Sequence, residues 1–173
     1  MRISIETTRL KLVPLPYEDL CVYTRDRREL EKKWGLQLTN ETMDPAIQKE
    51  VNEAMGFWLK FVKENPQRYA WYSPWQIILK GENRIIGSLG FDSHPSLKKE
   101  ITVGYMIDTP FHNQGFATEA LKAVLGWAFQ EENDFKVLAE TPKDHLASQK
   151  VLMKCGFVKR RETEFSFMWD IRD

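Results

Sequence analysis

The spacing of apolar positions changes along the chain, and each change marks an element. Residues 3–15 read as a strand: Leu10 and Leu12 turn one way, Arg9 and Lys11 the other, and Pro14 ends the run. Residues 19–34 are charged, with Leu20, Tyr23, Leu30 and Trp34 as scattered apolar contacts, which suits one broken helix. Residues 35–44 are polar and predict no element. Asp44 is then placed to cap a helix with Pro45 at its first position. Val51, Ala54, Trp58, Phe61 and Val62 form one apolar stripe that stops near Asn65 and Pro66.

Beyond it, Trp75, Ile77 and Leu79 alternate with Gln76, Ile78 and Lys80 in a strand. Gly81, Glu82 and Asn83 make a turn, and residues 85–91 return as the antiparallel partner. A loop at 94–99 leads into a strand over Glu100–Ile107, which breaks at Asp108, Thr109 and Pro110 because proline cannot extend a ladder. A helix starts near Gly115, with Ala117, Ala120, Leu121, Val124 and Ala128 at helical spacing. Residues 136–140 are a short strand and Pro142 marks a turn. Asp144 is placed to cap a helix over 145–155 whose packed face is Ala147, Val151, Leu152 and Cys155, and Gly156 stops it. Strands at 157–160 and 164–169 complete the pattern, with no internal repeat or linker.

Composition narrows the classes. A chain of 173 residues suits one domain with a real core. Lys plus Arg equals Asp plus Glu at 25 each, so no basic excess suggests nucleic acid as a partner. Two distant cysteines, Cys21 and Cys155, do not make a secreted disulfide scaffold and point to a reducing cytoplasm. No signal-peptide pattern opens the sequence and no apolar run is long enough for a bilayer, so a soluble, cytoplasmic protein without a membrane partner is expected. His94, His112 and His145 lack metal-ligand spacing, so no metal is expected. Six Trp and ten Phe exceed what a small core needs, which leaves some to line a pocket, with core packing as the default.

The stretch 103–120, VGYMIDTPFHNQGFATEA, organises the rest. A strand that feeds a helix through a loop with Asn113 and Gly115 offers free backbone N–H groups at the positive end of a helix dipole, which suits a phosphate or pyrophosphate. A glycine kept only for close packing is an equal reading of the same residues.

Four segments, in order, carry a resemblance: ETTRLKLVPL, RIIGSLGF, the GY-x-I-x-x-P stretch with GFATEAL, and ASQKVLMKCGF. Together they resemble the GNAT N-acetyltransferases over nearly the whole chain, and more narrowly the branch that acetylates ribosomal-protein N-termini. The resemblance implies a mixed α/β fold: a central, mostly antiparallel sheet of about seven strands, splayed at the strand Glu100–Ile107, with helices on both faces. It implies acetyl-CoA wedged beside that strand. Met106 and Ile107 would meet the pantetheine, and His112, Asn113, Gln114, Gly115, Phe116 and Ala117 would hold the pyrophosphate. The acceptor implied is a primary amine, by branch a protein or peptide N-terminus, attacking directly in a ternary complex of a monomer or homodimer.

Departures from the family pattern matter. Asn113 tolerates the left-handed backbone that a glycine would supply. His112 either donates to a phosphate or covers the loop. His145 stands where the family has an Asn on the pantetheine arm, and is either a cofactor contact or an exposed first-turn residue. Leu152 replaces the family's Tyr acid. Ser148, one turn earlier, matches the serine to which the branch assigns protonation of the thiolate, and bonding back to its own helix is the equal alternative. Thr102 replaces the branch's Glu base, so Glu100, two residues back on the same strand face, is a substitute, with Glu162 and Glu164 behind it. Trp34, Trp58 and the 35–44 loop fall on the family's acceptor side; Trp34 is the substrate contact expected, and Trp58 is read as core. Two other functions fit these departures: acetylation of a small amine such as a polyamine, amino acid or aminoglycoside, for which an acidic acceptor pocket would speak, and a non-catalytic acyl-CoA-binding regulator.

Overall fold

The computed structural model describes residues 3–40 and 45–172, apart from the Ile47 side chain. The expected cap at Asp44 lies outside the described residues. The first strand is in fact two, β1 (Ile5–Glu6) and β2 (Leu10–Pro14), paired antiparallel. The reversal is local chemistry: the Thr7 amide donates to the Leu10 carbonyl at 2.9 Å, and the Leu10 amide donates to the Thr7 hydroxyl at 3.0 Å. Among the described residues, eight strands therefore stand where about seven were expected.

Two helices follow, α1 (Tyr17–Tyr23) and α2 (Arg27–Trp34). The break falls at Asp26, whose carboxylate caps α2 by accepting from the Arg28 amide at 2.8 Å. Residues 35–40 add one isolated bridge, Gln37 to Arg84. The long helix α3 (Pro45–Glu64) leads through a 3-10 turn to β3 (Trp75–Leu79) and β4 (Arg84–Phe91). Then come β5 (Glu100–Ile107), α4 (Phe116–Glu131), β6 (Lys136–Pro142), α5 (Leu146–Lys154), β7 (Val158–Glu162) and β8 (Ser166–Arg172).

The sheet runs β1-β2-β3-β4-β5-β6-β8-β7, and every pair is antiparallel except β5 with β6. Helices cover both faces. Trp75 on β3 meets Trp127 of α4 at 4.9 Å between rings, while its neighbour Gln76 lies toward Tyr23 of α1 on the opposite face. Both faces of β3 are accordingly buried, so its polar Gln76 sits at 1 % exposure. Most of the aromatic surplus is core: Trp71 packs against Phe91, Trp127 and Phe135.

The single parallel pair positions the site. β5 and β6 are in register only at Glu100 with Lys136, Ile101 with Val137 and Thr102 with Leu138. Beyond that point β5 stays with β4, from Val103 paired to Phe91 through Ile107 paired to Gly87. β6 stays with β8, from Ala139 paired to Trp169 through Pro142 paired to Ser166. The strands part while each keeps its outer partner, and the gap is the expected splay.

α5 departs from expectation at its start. It begins at Leu146 with His145 as N-cap, and no side chain caps it, Asp144 included. Ala147 is exposed, and Gln149 joins Leu152 on the buried face, where its Nε2 donates to the carbonyls of Pro142 and Lys143. An amide that can bond the turn's carbonyls is worth more there than another apolar side chain.

Candidate active site

A cleft of about 700 Å³ opens where the strands part. Its walls include Thr102 to Met106 of β5, Ala139 and Glu140 of β6, His145 and Ser148 at the start of α5, and Phe57 and Trp58 of α3. A second cleft of about 590 Å³ runs beside the end of β5, lined by Arg25 to Arg28, Met106, Ile107, Thr109 and His112. Both include Val51 and Met106, so the two meet across α3 and β5.

On β5, Tyr105 extends its phenol to Ser148, with 2.7 Å between the hydroxyl oxygens and 3.2 Å from the phenol oxygen to the Ser148 carbonyl. Burial pushes the Tyr105 phenol up to about 12, although the bond to Ser148 opposes it. The phenol therefore keeps its proton at any ordinary pH. Sequence reading missed Tyr105; the loss of a family Tyr at Leu152 was the available signal, but only the fold puts a phenol from β5 against α5. Leu152 is fully buried.

The loop before α4 is built from both ends. Asn113 has φ +59° and Gly115 φ +83°, so both turn into the left-handed region. Among the described residues, the amides of Asn113 to Ala117 have no hydrogen-bond partner, as expected before and within a first helical turn. Arg9 braces the loop: its guanidinium donates to the Gln114 carbonyl at 2.9 Å and lies 4.3 Å above the Phe116 ring. Phe116 is buried beneath it, so only its backbone faces the loop. Glu119, one turn into α4, accepts from the Thr7 hydroxyl at 2.6 Å and from Arg9 at 2.7 Å. Burial raises the Glu119 carboxyl, but these donors outweigh it and hold the group below its ordinary value.

His112 does not point at open space. Its Nε2 donates to the Ile107 carbonyl at 2.6 Å, engaging one backbone group of a residue expected to meet the pantetheine. Beneath it, Arg27 joins Asp108 at 2.7 Å and Glu31 at 3.0 Å and donates to the Ile85 carbonyl at 2.6 Å. Burial disfavours the Arg27 charge, yet Asp108 and Glu31 more than offset it and its guanidinium sits above its usual range. This network ties α2 to the residue where β5 ends and the loop begins.

Two expected contacts stand elsewhere. Glu100 lines neither cleft; it is exposed at the closed end of the splay and paired with Lys136. Trp34 also lines neither, and its indole donates to the buried Asp19 carboxylate at 3.3 Å. The exchange is with Trp58, read as core but present on the cleft wall. Both cysteines are unpaired, neither lines a cleft, and burial pushes the Cys155 thiol up to about 11. Among the described residues no group of three His, Cys, Asp or Glu is placed to hold a metal, and no helix is long and apolar enough to cross a membrane.

A sheet that parts beside its one parallel pair, next to a helix whose first amides are free, defines an acyltransferase fold that wedges an extended thioester cofactor between strands. The chain belongs to the GNAT acetyltransferases: the family described as acetyltransferase (GNAT) domain matches residues 9–158. It is 25% identical over 156 residues to the uncharacterized N-acetyltransferase YjdG of Bacillus subtilis, covering 90% of each chain. The solved ribosomal L7/L12 alpha-N-protein acetyltransferase RimL in complex with coenzyme A aligns with TM-score 0.65 at 18% identity, over 98% of both chains. A spermidine N-acetyltransferase chimera from Vibrio cholerae aligns with TM-score 0.63 at 14% identity, over 95% of this chain and 96% of that one.

Proposed function

We propose that this protein transfers the acetyl group of acetyl-CoA to the primary amine of a protein or peptide N-terminus, by direct attack within a ternary complex. The observation that carries the reading is the splay of β5 from β6 with Ser148 and Tyr105 on its walls. The amides of Asn113 to Ala117 would hold the pyrophosphate, and the β5 backbone near Met106 the pantetheine arm, with His145 beside it. Bound there, the cofactor supplies an activated acetyl thioester. Its oxygen needs donors and its sulfur needs a proton or a hydrogen bond as the thioester breaks. Of the hydroxyls on the wall, Ser148 is the one the branch resemblance assigns to the second task. The absence of a cleft cysteine supports direct attack over a covalent intermediate.

The N-terminal acceptor rests on the branch resemblance and on the likeness to RimL. A second reading, a small cationic amine, is favoured by one observation. Among the described residues, the cleft at the splay includes Glu50, Asp92 and Glu140 and no Lys or Arg, although Asp92 is paired with Lys98. Trp58 and Phe57 on the same wall suit a cation as well.

The test has two parts. Titration calorimetry with acetyl-CoA, against CoA and ATP, should give binding, and CoA release should then separate Ala- and Ser-terminated peptides from spermidine. No acetyl-CoA binding would sink the reading outright; turnover of spermidine alone would replace the acceptor. Ser148→Ala should lower kcat by about a hundredfold, the lower range for a lost proton donor, with little change in acetyl-CoA affinity. Wild-type turnover in that variant removes Ser148 from the mechanism.

A further inference from the structure

Ser148 sits in the first turn of α5, too early for the back-bond to its own helix that a mid-helix hydroxyl commonly makes. Among the described residues its Oγ has one partner, the Tyr105 phenol at 2.7 Å. That partner is anchored from another element. Tyr105 belongs to the part of β5 locked to β4, opposite Leu89, so the phenol is carried by the rigid half of the splay. It reaches across the gap to the first turn of the helix that follows the other half.

We propose that Tyr105 is a positioning residue for acetyl transfer, holding the Ser148 hydroxyl in the one orientation that leaves its proton free for the departing sulfur. This rests on the reading of Ser148 given above. Two hydroxyls 2.7 Å apart can exchange donor and acceptor roles without moving a heavy atom. When negative charge develops on sulfur, only one arrangement serves: Tyr105 donates to Ser148 Oγ, and Ser148 donates into the cleft. The C–S bond breaks with its electron pair on sulfur. As the amine nitrogen bonds the acetyl carbon and gives up its proton to water, the Ser148 proton would move to that sulfur and water would return a proton to Ser148 Oγ, while the Tyr105 phenol keeps its own.

The phenol suits this part. It remains protonated at working pH, because burial pushes it up to about 12, and so it remains a donor. Its one proton can go to the Ser148 hydroxyl at 2.7 Å or to the Ser148 carbonyl at 3.2 Å, and the shorter contact is the one this role uses. A valine or phenylalanine would serve as well if position 105 only filled space.

The test reads both chemistry and structure. In protein labelled with 13C at tyrosine Cζ, the Tyr105 resonance should shift when Ser148→Ala removes its partner; a resonance that does not move overturns the pair. CoA release is then followed with an Ala-terminated peptide, with spermidine, and with water alone. Tyr105→Phe should cut kcat about tenfold or more while acetyl-CoA affinity stays within about twofold. The Tyr105→Phe, Ser148→Ala double variant should be no slower than Ser148→Ala, since the two act as one unit. 3-Fluorotyrosine at 105, which keeps both shape and donor, should restore the rate.

Wild-type kcat in Tyr105→Phe, full additivity of the two losses, or no rescue by the fluorinated residue each overturns the proposal. Wild-type kcat in Ser148→Ala takes down the reading of Ser148 and this inference together. So does a wild-type protein that binds acetyl-CoA and releases no CoA under any of the three conditions. If Tyr105→Phe unfolds early in a thermal melt, the resonance shift and the fluorinated protein still decide.

Discussion

At the scale of single residues, the loop before α4 turns on Gly115. Its φ of +83° is strained for any side chain, and a Cβ there would stand 3.4 Å from the Arg9 guanidinium that braces the loop. A β-branched residue is the worst replacement, because it adds bulk where backbone must approach a ligand closely. Gly115→Val should therefore reduce acetyl-CoA affinity at least about a hundredfold, as the loop amides lose their convergence. Calorimetry reads this directly, and unchanged affinity would show that the loop is not the pyrophosphate site. Glu119 is the residue whose importance was least visible. It lies in the GFATEA motif and binds Thr7 and Arg9 of the ETTRL motif, so two segments that carry the family resemblance are physically one clamp.

Among elements, the pair β4–β5 matters most, since β5 supplies one wall of the splay. Gly87 is the close approach that permits it. A Cβ at Gly87 would land on the Met106 carbonyl oxygen and come within 3.0 Å of the Ile107 Cα. Both neighbours are strand backbone and cannot move aside like the end of a side chain. Gly87→Ala should cost about 1–3 kcal/mol of stability, typical of overpacking, and weaken acetyl-CoA binding as well. Denaturant titration and calorimetry would check the two effects together; a variant unchanged in both would mean that β5 shifts freely. The helices were legible to different degrees. The stripe of α3 and the run of α4 repeat cleanly and predicted their elements. α5 is short and amphipathic in an unusual way, so its buried Gln149 and exposed Ala147 were invisible in the pattern.

For the whole molecule, acid sensitivity has an identifiable contributor. His94 is 1 % exposed, its Nδ1 accepts from the Ser96 amide at 3.0 Å, and its ring lies 5.1 Å from Trp71. Burial, then the charge of Arg68, holds its imidazole below the ordinary value, while Glu132 works the other way. The fold thus prefers neutral His94. That preference stabilises the protein fully above the unfolded value, about 6.5, and fades as pH falls through the lower folded value. Thermal melts from about pH 7.5 down to about pH 5 should show a declining Tm, and His94→Gln should flatten the decline. An identical pH slope in both proteins would clear His94 of the effect.

The order of strands and helices, the break at Pro110 and the start of α4 were determined by the sequence alone. Each depends on neighbours within a few residues: a proline without an N–H, a glycine that accepts positive φ, an apolar period. The reversal at Thr7 was also local, but its signal, a threonine bonding across three residues, does not interrupt an alternating pattern. What only the tertiary structure decided is which side chains meet across elements. It sent Trp58 to the cleft and left Trp34 on Asp19, paired Glu100 with Lys136 outside the cleft, turned His112 onto Ile107 and set Tyr105 against Ser148. Those contacts join residues up to 43 positions apart. They depend on strand register and on where β5 leaves β6, and no local period in the chain encodes that point.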